Sequence, residues 1–254
     1  MNTHSLLIKL GKLFPAKKAM KPDYIGLMCG KLPQEVNKIL LCLDYDEQVH
    51  PFALEYRPDL ILTHHPFIYG NKKEVLEKDK KKKALYQQVE NNHLTIYSMH
   101  TNFDAGEKGM NDALASALGL INIYKPEQEK MMSIGELPHP MQVEEFSVYA
   151  KDKLKVNYGL LLPYGNKIVK KVGIIGGGGS SYYLLAKQLG CDIYISGDAP
   201  HHIRRGVISE EFNYLDLPHE IEKIFVYRMY DILKSFDDKL DIKIIDHEKE
   251  PLVI

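Results

Sequence analysis

Short apolar runs alternate with helix-patterned segments along almost the whole chain, and that alternation restricts it to an α/β architecture. Lys38 to Asp44 (KILLCLD) reads as a strand and Asp46 to Arg57 as the helix after it. Asp59 to Thr63 is the next strand and runs into His64-His65-Pro66. Lys78 to Asn92 has helical spacing and leads to a strand from Leu94 to Met99, which ends at His100-Thr101-Asn102-Phe103-Asp104. Gly109 to Leu118 reads as a helix closed by Gly119. At the N-terminus, Leu6, Leu7, Ile8 and Leu10 are interrupted by Lys9 and Lys12, the pattern of an amphipathic helix rather than a signal peptide.

A change of composition follows. Residues 123–141 hold Pro126, Pro138 and Pro140 among several charges and read as a connection between two lobes. The expected division is a first α/β lobe over 1–125 and a second over 126–254, with the C-terminal segment packing back on the first. The second lobe repeats the alternation. Strands are expected at Lys170 to Ile175, Asp192 to Ser196 and Asn213 to Leu217, and helices at Ser181 to Leu189, Ile203 to Phe212 and Glu220 to Lys234. A glycine turn, Gly176 to Gly179, joins the first of these strands to its helix.

Composition narrows the function classes. The 33 basic residues balance 34 acidic ones, so the net charge of −1 does not itself call for a nucleic acid, an anionic membrane or an acidic partner. The lysine cluster from Lys78 to Lys83 lacks interleaved aromatics and reads as a solvated helix start. Cys29, Cys42 and Cys191 are odd in number and far apart, without a CxxC pair, which fits small buried hydrophobes in a reducing cytoplasm. No apolar run reaches membrane-spanning length, so a cytoplasmic protein is expected.

Functional groups of α/β proteins gather just past the C-terminal ends of strands. Three strands here deliver metal-competent residues at that place: His64 and His65, then His100 and Asp104, then His219 and Glu222. Successive side chains at a strand end point apart, so adjacent histidines suit two cations better than one, and Pro66 holds His65 extended. His219 and Glu222 lie three apart at a helix start and share a face. Two cations roughly 3.5–4 Å apart repel each other and need anionic ligands between them, a part suited to Asp104 and Glu222. Imidazole with carboxylate favours zinc, iron or manganese. A helix-capping Asp104, a surface ion pair from Glu222 and ordinary histidines would account for the same residues, and the pattern alone leaves both accounts open. His4, His50, His93 and His247 stand scattered, without evident partners. The glycine turn could cradle an anion or serve close packing. Ser196-Gly197-Asp198, with His201 and His202 beyond, closes another strand near it.

These segments, in this order and spacing, resemble the Nif-three-like family, whose bacterial members are catalogued as GTP cyclohydrolase 1 type 2 homologs. Asp23-Tyr24-Ile25-Gly26-Leu27 is similar to the family's DNxGL opening, and Leu62 to Pro66 to its HHP strand end. His100 to Asp104 with Gly109-Met110-Asn111 resembles the HTNxD…GxND block, and Ser196-Gly197-Asp198 with His202 resembles TG(D/E)xxxH. Pro218 stands where the family usually has glycine, which bears on the local backbone rather than on the ligands. The resemblance implies two intertwined α/β lobes with mixed sheets and a dinuclear metal site in the cleft between them. It implies His64, His65, Asp104, His219 and Glu222 as ligands and a toroidal homohexamer, while the connection here is too short for the extra domain that some relatives carry between the lobes.

The leading expectation is therefore a metal-dependent hydrolase of a small molecule, with the family label suggesting the guanine ring of GTP. Two divalent ions would acidify a bound water, and His100 or His202 would move protons. The rival is a non-enzymatic ring-shaped protein that binds metal or a metabolite in a regulatory or adaptor role.

Overall fold

The apolar runs of the first half become neighbouring parallel strands of one sheet. The computed structural model describes residues 1–253. Its strands include β1 (Gly26–Cys29), β2 (Lys38–Cys42), β3 (Leu60–Thr63) and β4 (Ile96–Ser98), joined late in the chain by β11 (Asp241–Ile245). They form a five-stranded sheet in the order β1-β4-β3-β2-β11. β11, β2, β3 and β4 run parallel, and β1 is antiparallel to β4. All four residues of β3 are buried. A central parallel strand covered on both faces is apolar throughout rather than alternating, which is why its sequence reads so plainly. Leu40, Ile61 and Ile96 pack with Val49 and Ala53 from one helix region and with Leu85, Tyr86 and Val89 from the helix Lys80–Asn91.

The expected helix from Lys78 to Asn92 is two helices, Lys72–Lys78 and Lys80–Asn91. Asp79 separates them in an extended conformation (φ −106°, ψ 100°), and its side chain caps the second helix by accepting from the Lys82 N–H. Lys80 to Lys83 thus form the first turn of the second helix, largely exposed, and Lys82 lies 4.7 Å above the Phe67 ring.

The second sheet has the order β5-β6-β8-β9-β10-β7. Its members are β5 (Ile121–Tyr124), β6 (Ser133–Gln142), β7 (Leu160–Pro163), β8 (Ile168–Ile174), β9 (Ile193–Ser196) and β10 (Asn213–Asp216). β8, β9 and β10 are parallel, while β5, β6 and β7 pair antiparallel. The stretch expected as a connection, 123–141, is therefore mostly sheet. Pro138 and Pro140 fall between Glu136 and Met141, where the register of β6 against β8 shifts. A residue without an N–H is tolerated at such an irregularity, so the prolines that looked like linker signals sit inside a strand.

By internal contacts the chain divides into two units, Met1–Gly106 with Phe225–Glu248, and Glu107–Ile224 with the residues from Lys249 onward. The division thus lies ahead of residues 125/126, since β5 pairs with β6, and the chain returns to the first unit to lay β11 beside β2. All three cysteines are buried and free. Among the described residues, no helix is long and apolar enough to cross a membrane.

Leu62 is fully buried in β3. Leu62→Ala is expected to cost about 3 kcal/mol in urea unfolding, the range for a truncated core leucine, whereas a loss under about 1 kcal/mol would contradict this packing.

Candidate metal centre

In the first unit the C-terminal ends of three adjacent parallel strands meet. The main-chain N–H groups of His64 and His65 both donate to the Leu43 carbonyl just beyond β2, at 3.1 and 3.0 Å. The Thr63 hydroxyl bonds the His65 carbonyl at 2.8 Å and the Ser98 hydroxyl at 2.7 Å. The histidine pair is thereby pinned to the strands on either side. His64 is fully buried, and its Nδ1 lies 2.9 Å from the Met99 carbonyl. His65 Nδ1 lies 2.6 Å from Asp44 Oδ2, and His100 Nδ1 2.7 Å from Asp23 Oδ1. His64, His65 and His100 each offer a ligand atom within 4.8 Å of the others. Asp104 closes the four-residue helix Thr101–Asp104 and is buried, with Oδ1 3.6 Å from His64 Nε2. It ends that helix rather than capping its start.

A carbonyl oxygen accepts and never donates, so the Met99 contact fixes the hydrogen of a neutral His64 on Nδ1 and leaves Nε2 with its lone pair. Ionised carboxylates impose the same choice on His65 and His100. This is the arrangement by which metal-binding imidazoles are oriented from behind. Burial pushes the Asp23 carboxyl up, but hydrogen bonds from His100 and Thr101 and the charge of His100 outweigh it and hold it down at about 2. Asp44 shifts down in the same way: burial raises it, and the hydrogen bond and charge of His65 prevail.

The second unit has a histidine–carboxylate group of its own. Pro218 is extended (φ −54°, ψ 145°) and begins a 3₁₀ turn, His219–Lys223, ahead of the helix Ile224–Phe236. In a 3₁₀ turn, side chains three apart eclipse, which brings His219 Nε2 to 3.1 Å from Glu222 Oε2. His219 Nδ1 lies 2.5 Å from Asp198 Oδ2, so here too the ring is held by an acceptor on its far nitrogen. Glu222 is buried at 4% exposure, which removes the surface ion pair from consideration. The glycine turn explains itself at the same place. A Cβ on Gly177 would stand 2.4 Å from Glu222 Oε1 and 3.0 Å from His219 Cε1, and its φ of +60° already favours glycine. The Gly177 carbonyl accepts from the Gly197 N–H at 2.7 Å, and Asn111 accepts from the Gly176 N–H at 2.7 Å. Close packing around the carboxylate, rather than an anion cradle, accounts for the glycines.

The donors of each unit suit a divalent cation. Two carboxylates, Asp104 and Glu222, are buried beside the Nε2 atoms of His64 and His219, and burying a carboxylate is costly unless positive charge compensates it. Two of the scattered histidines do have partners: His50 Nδ1 lies 2.7 Å from the Tyr45 hydroxyl, and His247 Nε2 3.1 Å from Asp46 Oδ2. His202 is exposed in the first turn of the helix His201–Ser209, and Asp198 is the residue that reaches His219. Asp44 and Asp23 went unread as site residues in the sequence, although Asp44 closes the run KILLCLD at the very strand end where function is expected.

The sequence profile of the family described as Duf34/NIF3 (NGG1p interacting factor 3) matches residues 1–251. A Lactococcus lactis protein named GTP cyclohydrolase 1 type 2 homolog is 28% identical over 258 residues, covering 98% of this chain and 97% of its own. A Clostridium perfringens protein of the same name is 32% identical over 203 residues, covering 78% and 77%. The fold matches the crystal structure of a Staphylococcus aureus hypothetical protein with a TM-score of 0.90 at 22% identity, over 100% of this chain and 99% of that one.

Two substitutions test the geometry. Gly177→Ala is expected to cost roughly 2 kcal/mol through its left-handed φ and the Glu222 contact, while Gly178→Ala, with open space around it, should be nearly neutral. Equal melting temperatures for the two variants would contradict the packing. Asp23→Asn should lower stability near neutral pH by on the order of 1–2 kcal/mol, after allowance for solvent screening. A carboxyl held down contributes above its ordinary value of 3.8 and loses that contribution as the pH falls toward about 2. The difference between wild type and variant should therefore vanish on acidification through that window, and a difference that persists at pH 2 would refute the assignment.

Proposed function

The chain belongs to the Duf34/NIF3 family, and from that premise we propose that it is a metal-dependent hydrolase that holds two divalent cations and acts on a nucleotide such as GTP. The ligands in this reading are His64, His65, Asp104, His219 and Glu222. The observation that carries it is the common setting of the imidazoles in each unit: an acceptor behind Nδ1 of His64, His65 and His219, and a buried carboxylate beside Nε2 of His64 and of His219. That chemistry suits zinc, iron or manganese. The choice of a guanine nucleotide, opened hydrolytically at its ring, rests on the name shared by the relatives. Assembly into a toroidal homohexamer belongs to the same proposal.

Bound, the cations would supply Lewis acidity and bring a water within reach of deprotonation near neutral pH. The chain's own groups do the rest. The Met99 carbonyl, Asp44 and Asp198 hold the ring planes of His64, His65 and His219 in place, so the ligands need no rearrangement when metal enters. His100 is the proton carrier in preference to His202. Its Nδ1 donates to Asp23, which stabilises the imidazolium, and its Nε2 is left to take a proton from water or return one to the leaving group.

Elemental analysis of the purified protein, paired with a GTP turnover assay, tests the proposal. About two equivalents of a transition metal per chain are expected, largely lost in His65→Ala, with GTP consumed by the loaded wild type. Asp44→Ala should weaken metal retention about tenfold or more while the fold is kept. Metal without turnover of GTP or other nucleotides would overturn the hydrolase and leave a binding or regulatory role, and no uptake of metal would overturn the site itself.

A further inference from the structure

The geometry points to a second ligand site in the first unit, and we propose that it binds a small organic oxyanion, a carboxylate or phosphate carried on an apolar body. A cavity of about 610 Å³ runs along β1, between that strand and the helix Lys80–Asn91. None of its lining residues belongs to the histidine cluster, and its size is that of an ordinary small-molecule pocket.

The polar groups that reach it are chiefly donors. Lys72 Nζ donates to the Tyr86 phenol and lies 4.2 Å from the centre of its ring. The phenol donates in turn to Glu90 Oε1 at 2.9 Å, so the one acidic side chain of the lining already has a donor on it. Burial first, then the hydrogen bonds with Cys29 and Glu90, push the Tyr86 hydroxyl well up, and it stays a phenol at any physiological pH. Cys29 is likewise raised by burial and behaves as part of the wall rather than as a nucleophile. Lys31 and His93 also line the cavity, and the sheet order ends at β1, leaving one side of its backbone unpaired within the sheet. Two ammonium groups and an imidazole against a single engaged carboxylate make a donor-rich pocket, which selects an acceptor-rich ligand. Leu27, half exposed, and Met28 supply an apolar face for the body of that ligand. The Lys72–Tyr86–Glu90 chain spans two helices and is in place before any ligand arrives, so little ordering is needed on binding.

The test is a titration of the full chain, followed by backbone amide chemical shifts, with benzoate as the apolar carboxylate and inorganic phosphate as the free headgroup. Saturable benzoate binding that shifts residues of β1 is expected, tighter than phosphate, and about tenfold weaker in Lys72→Met and in the exposed Lys31→Met. His65→Ala should leave it unchanged, which separates this site from the proposed metal centre. Absence of saturation by either probe, or binding indifferent to both lysine substitutions, would overturn the proposal. Saturation by phosphate alone would overturn the apolar half of the ligand's description.

Discussion

The candidate centre depends on one constraint: an imidazole can present a lone pair in a fixed direction only when its other nitrogen is tied to an acceptor. In the first unit the sheet satisfies that constraint through its register. Cys42 pairs with Thr63, and Thr63 with Ser98, so β2, β3 and β4 end level with one another. Two residues past β2 stands Asp44, immediately past β3 stand His64 and His65, and just past β4 stand Met99 and His100. Each histidine then finds its acceptor on the neighbouring strand end or in Asp23, ahead of β1. A slip of one residue between these strands would turn each pair to opposite faces of the sheet. The Thr63 hydroxyl bonded to Ser98, and the His64 and His65 N–H groups that share the Leu43 carbonyl, hold the strand ends in that register.

The second unit reaches the same end by a different local device. β8, β9 and β10 are also parallel neighbours, and past their ends lie the glycine turn, Asp198 and His219. Here the space around the carboxylate is made by removing side chains: Gly177 leaves room for Glu222, and Gly197 approaches the carbonyls of Gly177 and Leu217. Pro218, placed where a glycine would be usual, poses no obstacle, because the backbone there is extended and the 3₁₀ turn begins one residue later. That turn sets the eclipsed spacing of His219 and Glu222.

Much of this was legible in the sequence because parallel, doubly covered strands write themselves as apolar runs. β2, β3, β4, β9 and β10 lie within the segments read as strands, β8 begins two residues ahead of its segment, at Ile168, and the metal-competent residues follow from the strand ends. The elements that escaped notice are of another kind. β1, β5, β7 and β11 lie at sheet edges, where burial is partial and the pattern faint. β6 hides two prolines in a register shift. The helix Val143–Leu154 carries buried Val143, Phe146, Ala150 and Leu154 at a spacing that does signal one face of a helix, but it directly follows the proline-bearing residues 123–141, which read as a connection. Asp23 and Asp44 were missed as acceptors because their roles depend on strands brought together from 77 and 21 residues away, which no local pattern encodes.

The most direct test of the central claim is a long-range proton–nitrogen NMR spectrum of the histidine side chains in the metal-free protein. Neutral His64, His65, His100 and His219 are all expected to carry their hydrogen on Nδ1, and added zinc is expected to move the Nε2 resonances of His64, His65 and His219. Neutral rings protonated on Nε2 would contradict the claim, because those nitrogens would then be donors, turned toward the carboxylates and closed to a cation.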